Sequence, residues 1–239
     1  MSSKFQAYLL DLVVAVYQTY IERKGDKEII KEAPGRVVRG TIPAVASKFE
    51  DEFGIFLYKL LGDENDYSIL IDYPIRLKGD GRITPDVVVI KDGTIQLILE
   101  LKNDLGYEKG DWREKLKNRI ERLKKVNIVT YSEYNSDSRT KTDKTLYVPN
   151  DVPYGTVILC QKNGRKRVLD IINDCKEANC QGDKVPYFIL MKDKDTHAND
   201  ILFEEEMNDY MERVVSTDVT SDWIRLEFFL SKHLKYSLE

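Results

Sequence analysis

Residues 84–102, TPDVVVIKDGTIQLILELK, constrain the fold of this chain more than any other segment. The Asp92-Gly93 pair separates two runs of Val, Ile and Leu, and Asp-Gly between apolar runs is the strongest short signal for a β-hairpin. We therefore predict one strand at residues 87–90 and a second at 95–101. The second run is apolar enough to be a central strand of a sheet.

Charged residues stand at the outer ends of this hairpin. Side chains alternate along a strand, so Ile98, Glu100 and Lys102 share one face. An unpaired charge is costly to bury, so Glu-x-Lys at the end of a central strand needs a physical reason. Because the strands run antiparallel, the hairpin brings Asp86 beside Glu100. Two carboxylates and one ammonium are therefore expected within a few ångströms of one another.

Such a cluster suits phosphodiester chemistry. Two close carboxylates raise each other's pKa unless a cation lies between them. Mg²⁺ takes one or two carboxylates, keeps several waters and accepts phosphate oxygens, and it lowers the pKa of its bound water. Lys102 beside the ion could orient or deprotonate the attacking water, or offset charge in the transition state. The structural alternative is an ion pair at a strand end, between Glu100 and a neighbouring Lys.

The order Pro85-Asp86, then Glu100-Leu101-Lys102 after a short hairpin, resembles the signature of the PD-(D/E)XK nuclease superfamily. That group includes restriction endonucleases, Holliday junction resolvases and many repair and defence nucleases. The resemblance covers roughly residues 41–126, and the order of elements extends it to residue 191. It implies a metal-dependent endonuclease that acts on DNA. Asp86 and Glu100 would be metal ligands, the Leu101 backbone carbonyl another ligand, and Lys102 catalytic, with Mg²⁺ as the ion and Mn²⁺ able to substitute.

The helix predicted at residues 42–61 precedes the hairpin and carries acidic residues. Many members of the superfamily bind the metal through an acid on this helix, directly or through water. The resemblance implies Glu52 as this supporting catalytic and metal-binding residue, with Glu50 second. A solvated acidic face is the alternative. Ser47-x-x-Glu50 also matches a capping box, which would occupy Glu50 if the helix began there.

A second predicted helix, at residues 111–126, follows the catalytic strand and carries many cations. A basic helix near the active site could follow a phosphate backbone, and each contact would add salt-dependent affinity. The alternative is a solvated amphipathic helix with charge pairs four residues apart. The candidate nucleic-acid-binding residues are Arg113, Lys117, Arg119 and Lys124.

The whole chain is expected to form one α/β domain, a mixed central β-sheet flanked by helices. It would have a restriction-endonuclease-like core (αβββαβ) at residues 41–191, an N-terminal helical extension at 1–40 and C-terminal helices at 192–239. Further helices are predicted at 4–24, 165–179, 200–215 and 221–234, with a short helical turn at 27–32. Further strands are predicted at 68–77, kinked or at an edge because of Pro74, and at 155–161 and 186–191. The order of strand, helix and strand over 155–191 suggests a parallel crossover. Residues 131–149 are polar and are predicted to be a long loop with a substrate-gripping or lid role.

Composition bears on three further properties, namely nucleic-acid binding, zinc binding and membrane association. The net charge of −4 does not indicate a nucleic-acid binder, although a nuclease can be acidic if its basic residues cluster. Cys160, Cys175 and Cys180 are an odd number of cysteines, and with His197 they match no paired zinc-ligand spacing. Reduced structural thiols and a surface His197 are the expectation. The apolar stretch at residues 8–16 is interrupted by Asp11 and is too short to span a bilayer, so cytoplasmic residence without a membrane partner is expected.

Three alternatives to a general endonuclease remain open. One is a specialised member, such as a Holliday-junction-type resolvase or a restriction, defence or repair effector. Another is a non-catalytic nucleic-acid-binding protein that retains the nuclease fold. The third is a protein–protein module that uses the N-terminal helix. A homodimer would suit cleavage of both strands of a duplex.

Overall fold

The computed structural model describes residues 1–26, 45–62, 65–104, 112–135, 139–162, 185–193, 195–201, 203–217 and 220–236. The helices are α1 (Ser3–Asp26), α2 (Ala46–Leu61), α3 (Trp112–Leu123), α4 (Glu204–Thr217) and α5 (Thr220–His233), with a 3-10 turn at Ala198–Asp200. The strands are β1 (Tyr67–Ile71), β2 (Ile75–Leu77), β3 (Arg82–Ile83), β4 (Val87–Lys91), β5 (Thr94–Lys102), β6 (Ile128–Asn135), β7 (Thr140–Tyr147), β8 (Tyr154–Cys160) and β9 (Tyr187–Met191).

Across these ranges, nine strands form one mixed sheet flanked by helices, which confirms the α/β prediction. The path is β1-β4-β5-β7-β6-β2-β3, and β8 pairs with both β5 and β9. Strand β5 is antiparallel to β4 and parallel to β8, so it lies in the interior of the sheet. Strands β8 and β9 are parallel, as predicted. The predicted helix at 165–179 between them lies outside the described residues.

The β4–β5 hairpin forms as its sequence predicts. Asp92 and Gly93 both have positive φ, 50° and 68°, which is the requirement of a type I′ turn. The register pairs Val87 with Leu99 and Val88 with Ile98. A β-bulge between Val89 and Ile90 shifts this register by one residue relative to the turn, so the turn and the bulge together determine which residues stand opposite each other at the far end of the hairpin.

The two faces of the sheet pack against different helices. Leu97 and Leu99 of β5 belong to a large core shared with α1, α2, α4 and α5, in which Phe53 and Trp223 are fully buried. Ile98 belongs to a second core, which α3 covers. The helices contribute buried apolar residues to these cores, namely Phe49, Phe53, Phe56, Leu57 and Leu60 in α2, Trp112, Leu116 and Leu123 in α3, and Trp223, Leu226 and Leu230 in α5.

The single strand predicted at 68–77 is wrong, because the chain forms β1 and β2 in different parts of the sheet. Strand β1 pairs with β4 at one end of the path, whereas β2 pairs with β3 and β6. Asp72 between them has a left-handed φ of 47°, and Pro74 has no N–H for a strand ladder. Five strands therefore precede α3, instead of the predicted three.

The long loop predicted at 131–149 is also wrong. Strands β6 and β7 form an antiparallel hairpin that pairs Ile128 with Tyr147 at one end and Asn135 with Thr140 at the other. Along β7 only Leu146 is buried. Because both faces of this ribbon are largely polar, its sequence has no apolar alternation, and its Thr and Tyr residues were the remaining sign of a strand.

Helix α2 begins at Ala46, and its N-cap residue Val45 makes no side-chain capping bond. Ser47 therefore lies inside the helix and not at its N-cap, so the condition for a capping box between Ser47 and Glu50 is not met. Helix α1 matches its prediction closely, whereas the turn at 27–32 and the predicted start of the second helix lie outside the described residues. None of the helices in the described ranges combines the length and apolar character needed to cross a bilayer.

Candidate active site

The hairpin places Asp86 and Glu100 on the same side of the sheet. Val88 and Ile98 stand opposite each other and both belong to the core under α3. Asp86 comes two residues before Val88, and Glu100 comes two residues after Ile98, so strand alternation directs both carboxylates to that side. Lys102 lies on the same side, where it lines a cavity together with Glu100.

Asp86 is held by contacts at both its backbone and its carboxylate. Its Oδ2 accepts a hydrogen bond from the Leu101 N–H at 2.6 Å and lies 3.8 Å from the Lys102 Nζ. Its backbone carbonyl accepts a hydrogen bond from the Asp72 N–H at 2.9 Å. Burial, followed by the negative charge of Glu100, raises the pKa of Asp86 to about 7, against the opposing effect of Lys102. A carboxyl so crowded by negative charge favours a nearby cation.

Glu50 of α2 belongs to the same electrostatic cluster. Burial, followed by the charge of Asp72, raises the pKa of Glu50, and Lys102 opposes this. Glu50 in turn contributes to the raised pKa of Asp86. Glu52, the acid expected to support the metal, instead pairs through Oε1 with the Lys48 Nζ at 2.5 Å. The structure therefore places Glu50, the second choice from the sequence, close enough to Asp86 for its charge to raise the pKa of Asp86.

Glu100 is 4% exposed and is occupied by partners from two other elements. Its Oε1 accepts a hydrogen bond from the Arg119 Nη1 at 2.5 Å, and a second from the Tyr154 hydroxyl. Burial lowers the pKa of Arg119, but the Glu100 carboxylate outweighs this, so the pKa stands above its ordinary value. Burial and the Glu100 charge likewise raise the pKa of Tyr154. The charge of Glu100 is therefore balanced chiefly by Arg119.

Strand β8 supplies two site residues that the sequence analysis missed. The parallel register pairs Ile98 with Tyr154 and Glu100 with Thr156, so both polar side chains lie beside the catalytic strand. The predicted strand began at residue 155, which excluded Tyr154. The available signal was the same one that marked Glu100, namely polar residues in an otherwise apolar interior strand.

The basic face of α3 is partly used inside the protein. Arg119 pairs with Glu100, and the Arg122 Nε lies 2.9 Å from Asp80 Oδ2. Lys117 is half-exposed and lies 3.8 Å from Glu121, and Lys124 is exposed. Of the four candidate phosphate contacts, Lys117 and Lys124 therefore face solvent, while Arg119 turns toward the sheet. The side chain of Arg113 lies outside the described part of the chain.

The donor set suits a hard cation at Asp86 and Glu50. Both are carboxylates with raised pKa values, so additional positive charge would favour their ionised forms. Glu100 is less available, because Arg119 and Tyr154 share one of its oxygens. Within the described ranges, no group of three or more His, Cys, Asp or Glu side chains is arranged to hold a metal ion. Mg²⁺ needs only one or two carboxylates, with water completing its shell.

The structure also shows the surroundings of Cys160 and His197, which the sequence offered as possible zinc ligands. Cys160 is a buried free thiol, and Cys175 and Cys180 lie outside the described residues. The prediction that His197 lies on the surface is wrong, because it is 6% exposed, with its Nε2 3.3 Å from Asp104 Oδ2. A charged sequence around residue 197 hid the apolar contacts that bury the ring, among them Tyr20.

No family model, curated protein or solved structure matches the chain. A function for this chain therefore has to be inferred from the chemistry of the Asp86 cluster.

Proposed function

We propose that this protein is a metal-dependent endonuclease of the PD-(D/E)XK superfamily that hydrolyses phosphodiester bonds of DNA. The observation that carries the proposal is the Asp86 carboxyl, with its pKa of about 7 and its oxygen 3.8 Å from the Lys102 Nζ. The negative charges of Glu50 and Glu100 both contribute to the raised pKa of Asp86. The mixed sheet flanked by helices is compatible with a restriction-endonuclease-like core.

Each residue of the proposed site has a distinct role in phosphodiester hydrolysis. Asp86 and Glu50 would hold the cation, with Glu100 and the Leu101 backbone carbonyl as the further ligands that the resemblance implies. Mg²⁺ is the expected ion, Mn²⁺ can substitute, and the bound ion supplies Lewis-acid stabilisation of phosphoryl charge. Lys102 hydrogen-bonds the attacking water and offsets the negative charge that develops on the phosphate oxygens. Lys117 and Lys124 contact backbone phosphates farther along the DNA.

The test is cleavage of supercoiled, linear, branched and single-stranded DNA with Mg²⁺ or Mn²⁺. Asp86→Asn and Lys102→Met should each reduce cleavage by about 100-fold or more, in the range of losing one stabilising group at an active site. Asp11→Asn and Lys59→Met are matched controls, because they remove the same groups from an exposed ion pair of 3.5 Å. Cleavage that is equal in all four variants would count against the proposal.

The contacts of Glu100 favour a second candidate, a non-catalytic nucleic-acid-binding protein. Arg119 and Tyr154 already share the Glu100 Oε1, which a metal ligand would offer to the ion. This candidate predicts retention of DNA in a mobility-shift assay without cleavage under either metal. Preferential cleavage of the branched substrate would instead identify a Holliday-junction-type resolvase. Light scattering with and without DNA would test for a homodimer.

A further inference from the structure

A cavity of about 220 Å³ lies between β5, β8 and the first two turns of α3. Its lining joins Glu100 and Lys102 of β5 to the polar side chains of α3. Its volume is that of several water molecules, each of which occupies about 30 Å³ in the liquid. Its polar lining consists of Glu100, Lys102, Trp112, Lys115, Arg119 and Thr156.

Two buried polar atoms in this lining have no hydrogen-bond partner in the part of the chain that the structure describes. They are the Trp112 Nε1 and the Thr156 Oγ1, from residues that are 6% and 3% exposed. A buried polar group without a partner costs about 1–3 kcal/mol. Trp223, the other tryptophan, is fully buried and donates its Nε1–H to the Leu190 carbonyl at 2.8 Å. The contrast leaves the Trp112 N–H and the Thr156 hydroxyl available to a bound group.

The charges around the cavity define which group fits. Lys102, Lys115 and Arg119 place three positive charges around the cavity, against the negative charges of Glu100 and of Asp86, whose Oδ2 lies 3.8 Å from the Lys102 Nζ. The indole N–H is a donor only, and a guanidinium has five N–H groups, of which Arg119 gives one bond to Glu100. A lining rich in donors and positive charge suits a compact oxyanion. Arg, Lys and hydroxyl groups are the side chains that commonly bind phosphate.

We propose that this cavity binds a phosphate group of the nucleic-acid substrate next to the phosphate that is cleaved. Thr156 and Trp112 donate hydrogen bonds to it, while Lys115 and Arg119 balance its charge. The phosphate is either a terminal monoester or an internal diester, and both present the same oxygens. This inference rests on the proposed function for the identity of the substrate, but the cavity itself can be tested without cleavage.

The test uses the fluorescence of Trp112 in EDTA at constant ionic strength. Trp223→Phe leaves Trp112 as the sole tryptophan, and isothermal titration calorimetry on the unaltered chain provides a second measurement if this variant folds poorly. Inorganic phosphate and a nucleoside 5′-monophosphate represent the terminal monoester, and a dinucleoside monophosphate represents the internal diester. Saturable binding of either class supports the proposal and identifies the source. Absence of saturable binding by all three probes overturns it.

Variants make the assignment specific to the cavity. Thr156→Val keeps the shape of the side chain and removes the hydroxyl, and Lys115→Met removes a charge. Each should weaken phosphate binding by about 10-fold or more, as expected for hydrogen bonds that involve a charged group. The exposed control Lys59→Met should leave affinity unchanged. Equal affinity in Thr156→Val and the unaltered chain would contradict the assignment.

The two proposals fail in different ways. Phosphate binding without cleavage under any metal would leave the cavity assignment intact and remove the endonuclease. Metal-dependent cleavage without phosphate binding would do the reverse.

Discussion

Replacement of Asp86 by Asn tests the electrostatic argument on which the proposed active site depends. The amide oxygen of Asn can still accept the hydrogen bond from the Leu101 N–H, which is 2.6 Å long in the structure. The new side chain is close in size and cannot ionise. The substitution therefore removes the charge with little change of packing.

The size and sign of the expected change in the free energy of unfolding follow from the pKa of Asp86. Burial first, and Glu100 second, raise this pKa from its ordinary value of 3.8 to about 7. Each pKa unit corresponds to about 1.36 kcal/mol, so ionising Asp86 in the folded protein costs about 4 kcal/mol. Below pH 4 the carboxyl is protonated in both the folded and unfolded chains. Between about pH 4 and pH 7 only the unfolded chain releases the proton, so the free energy of unfolding falls as pH rises.

Urea denaturation at pH 5, 6, 7 and 8 in EDTA measures this dependence. Asp86→Asn should be more stable than the unaltered protein by about 4 kcal/mol at pH 8, and the difference should shrink toward pH 4. Added Mg²⁺ should then stabilise the unaltered protein at pH 8 and have less effect on the variant, because a ligand stabilises the state that binds it. Parallel stability curves for the two proteins would show that Asp86 titrates normally and would refute the reasoning.

Three further predictions concern the fold around the site. Gly155→Ala should lower the free energy of unfolding by about 1–3 kcal/mol in urea denaturation, because its Cβ would lie 3.0 Å from a Leu99 methyl. Asp222→Ala should lower the free energy of unfolding by about 3 kcal/mol, because the buried Asp222 carboxylate accepts a hydrogen bond from the Ile189 N–H at 3.0 Å. Asp222→Asn should lower it by less, because the amide oxygen of Asn can accept the same hydrogen bond. Burial raises the pKa of Cys160 to about 12, so in a chain without the other two cysteines its thiol should react with a disulfide reagent at pH 8 only after unfolding.

Most of the hairpin that carries the site was predictable, because its determinants are local. The Asp92-Gly93 turn and the alternation along β5 are properties of neighbouring residues, and they predict that Glu100 and Lys102 share a face. The polar β6–β7 ribbon was not predictable in the same way. Its pairing stabilises it without an apolar face, so residues 131–149 resemble a loop in the sequence.

The partners of the charged residues depended on contacts between distant parts of the chain. Glu50 and Glu52 are two residues apart, and the sequence pattern favoured Glu52. Only the packing of α2 against the sheet places Glu50 in the field of Asp86 and leaves Glu52 with Lys48. Arg119 was assigned to solvent and DNA by its basic neighbours, whereas its long side chain reaches a buried carboxylate 19 residues earlier.

The hairpin turn, the acid–acid–lysine order and the apolar faces of the helices can be read from the chain alone, because each depends on the spacing of residues along one element. The tertiary structure decided which acid joins Asp86, that Arg119 and Tyr154 hold Glu100, and that Thr156 and Trp112 line a cavity beside it. These contacts join side chains of β5, β8 and α3, which are far apart in the sequence. The spacing of residues within one element does not predict contacts between elements.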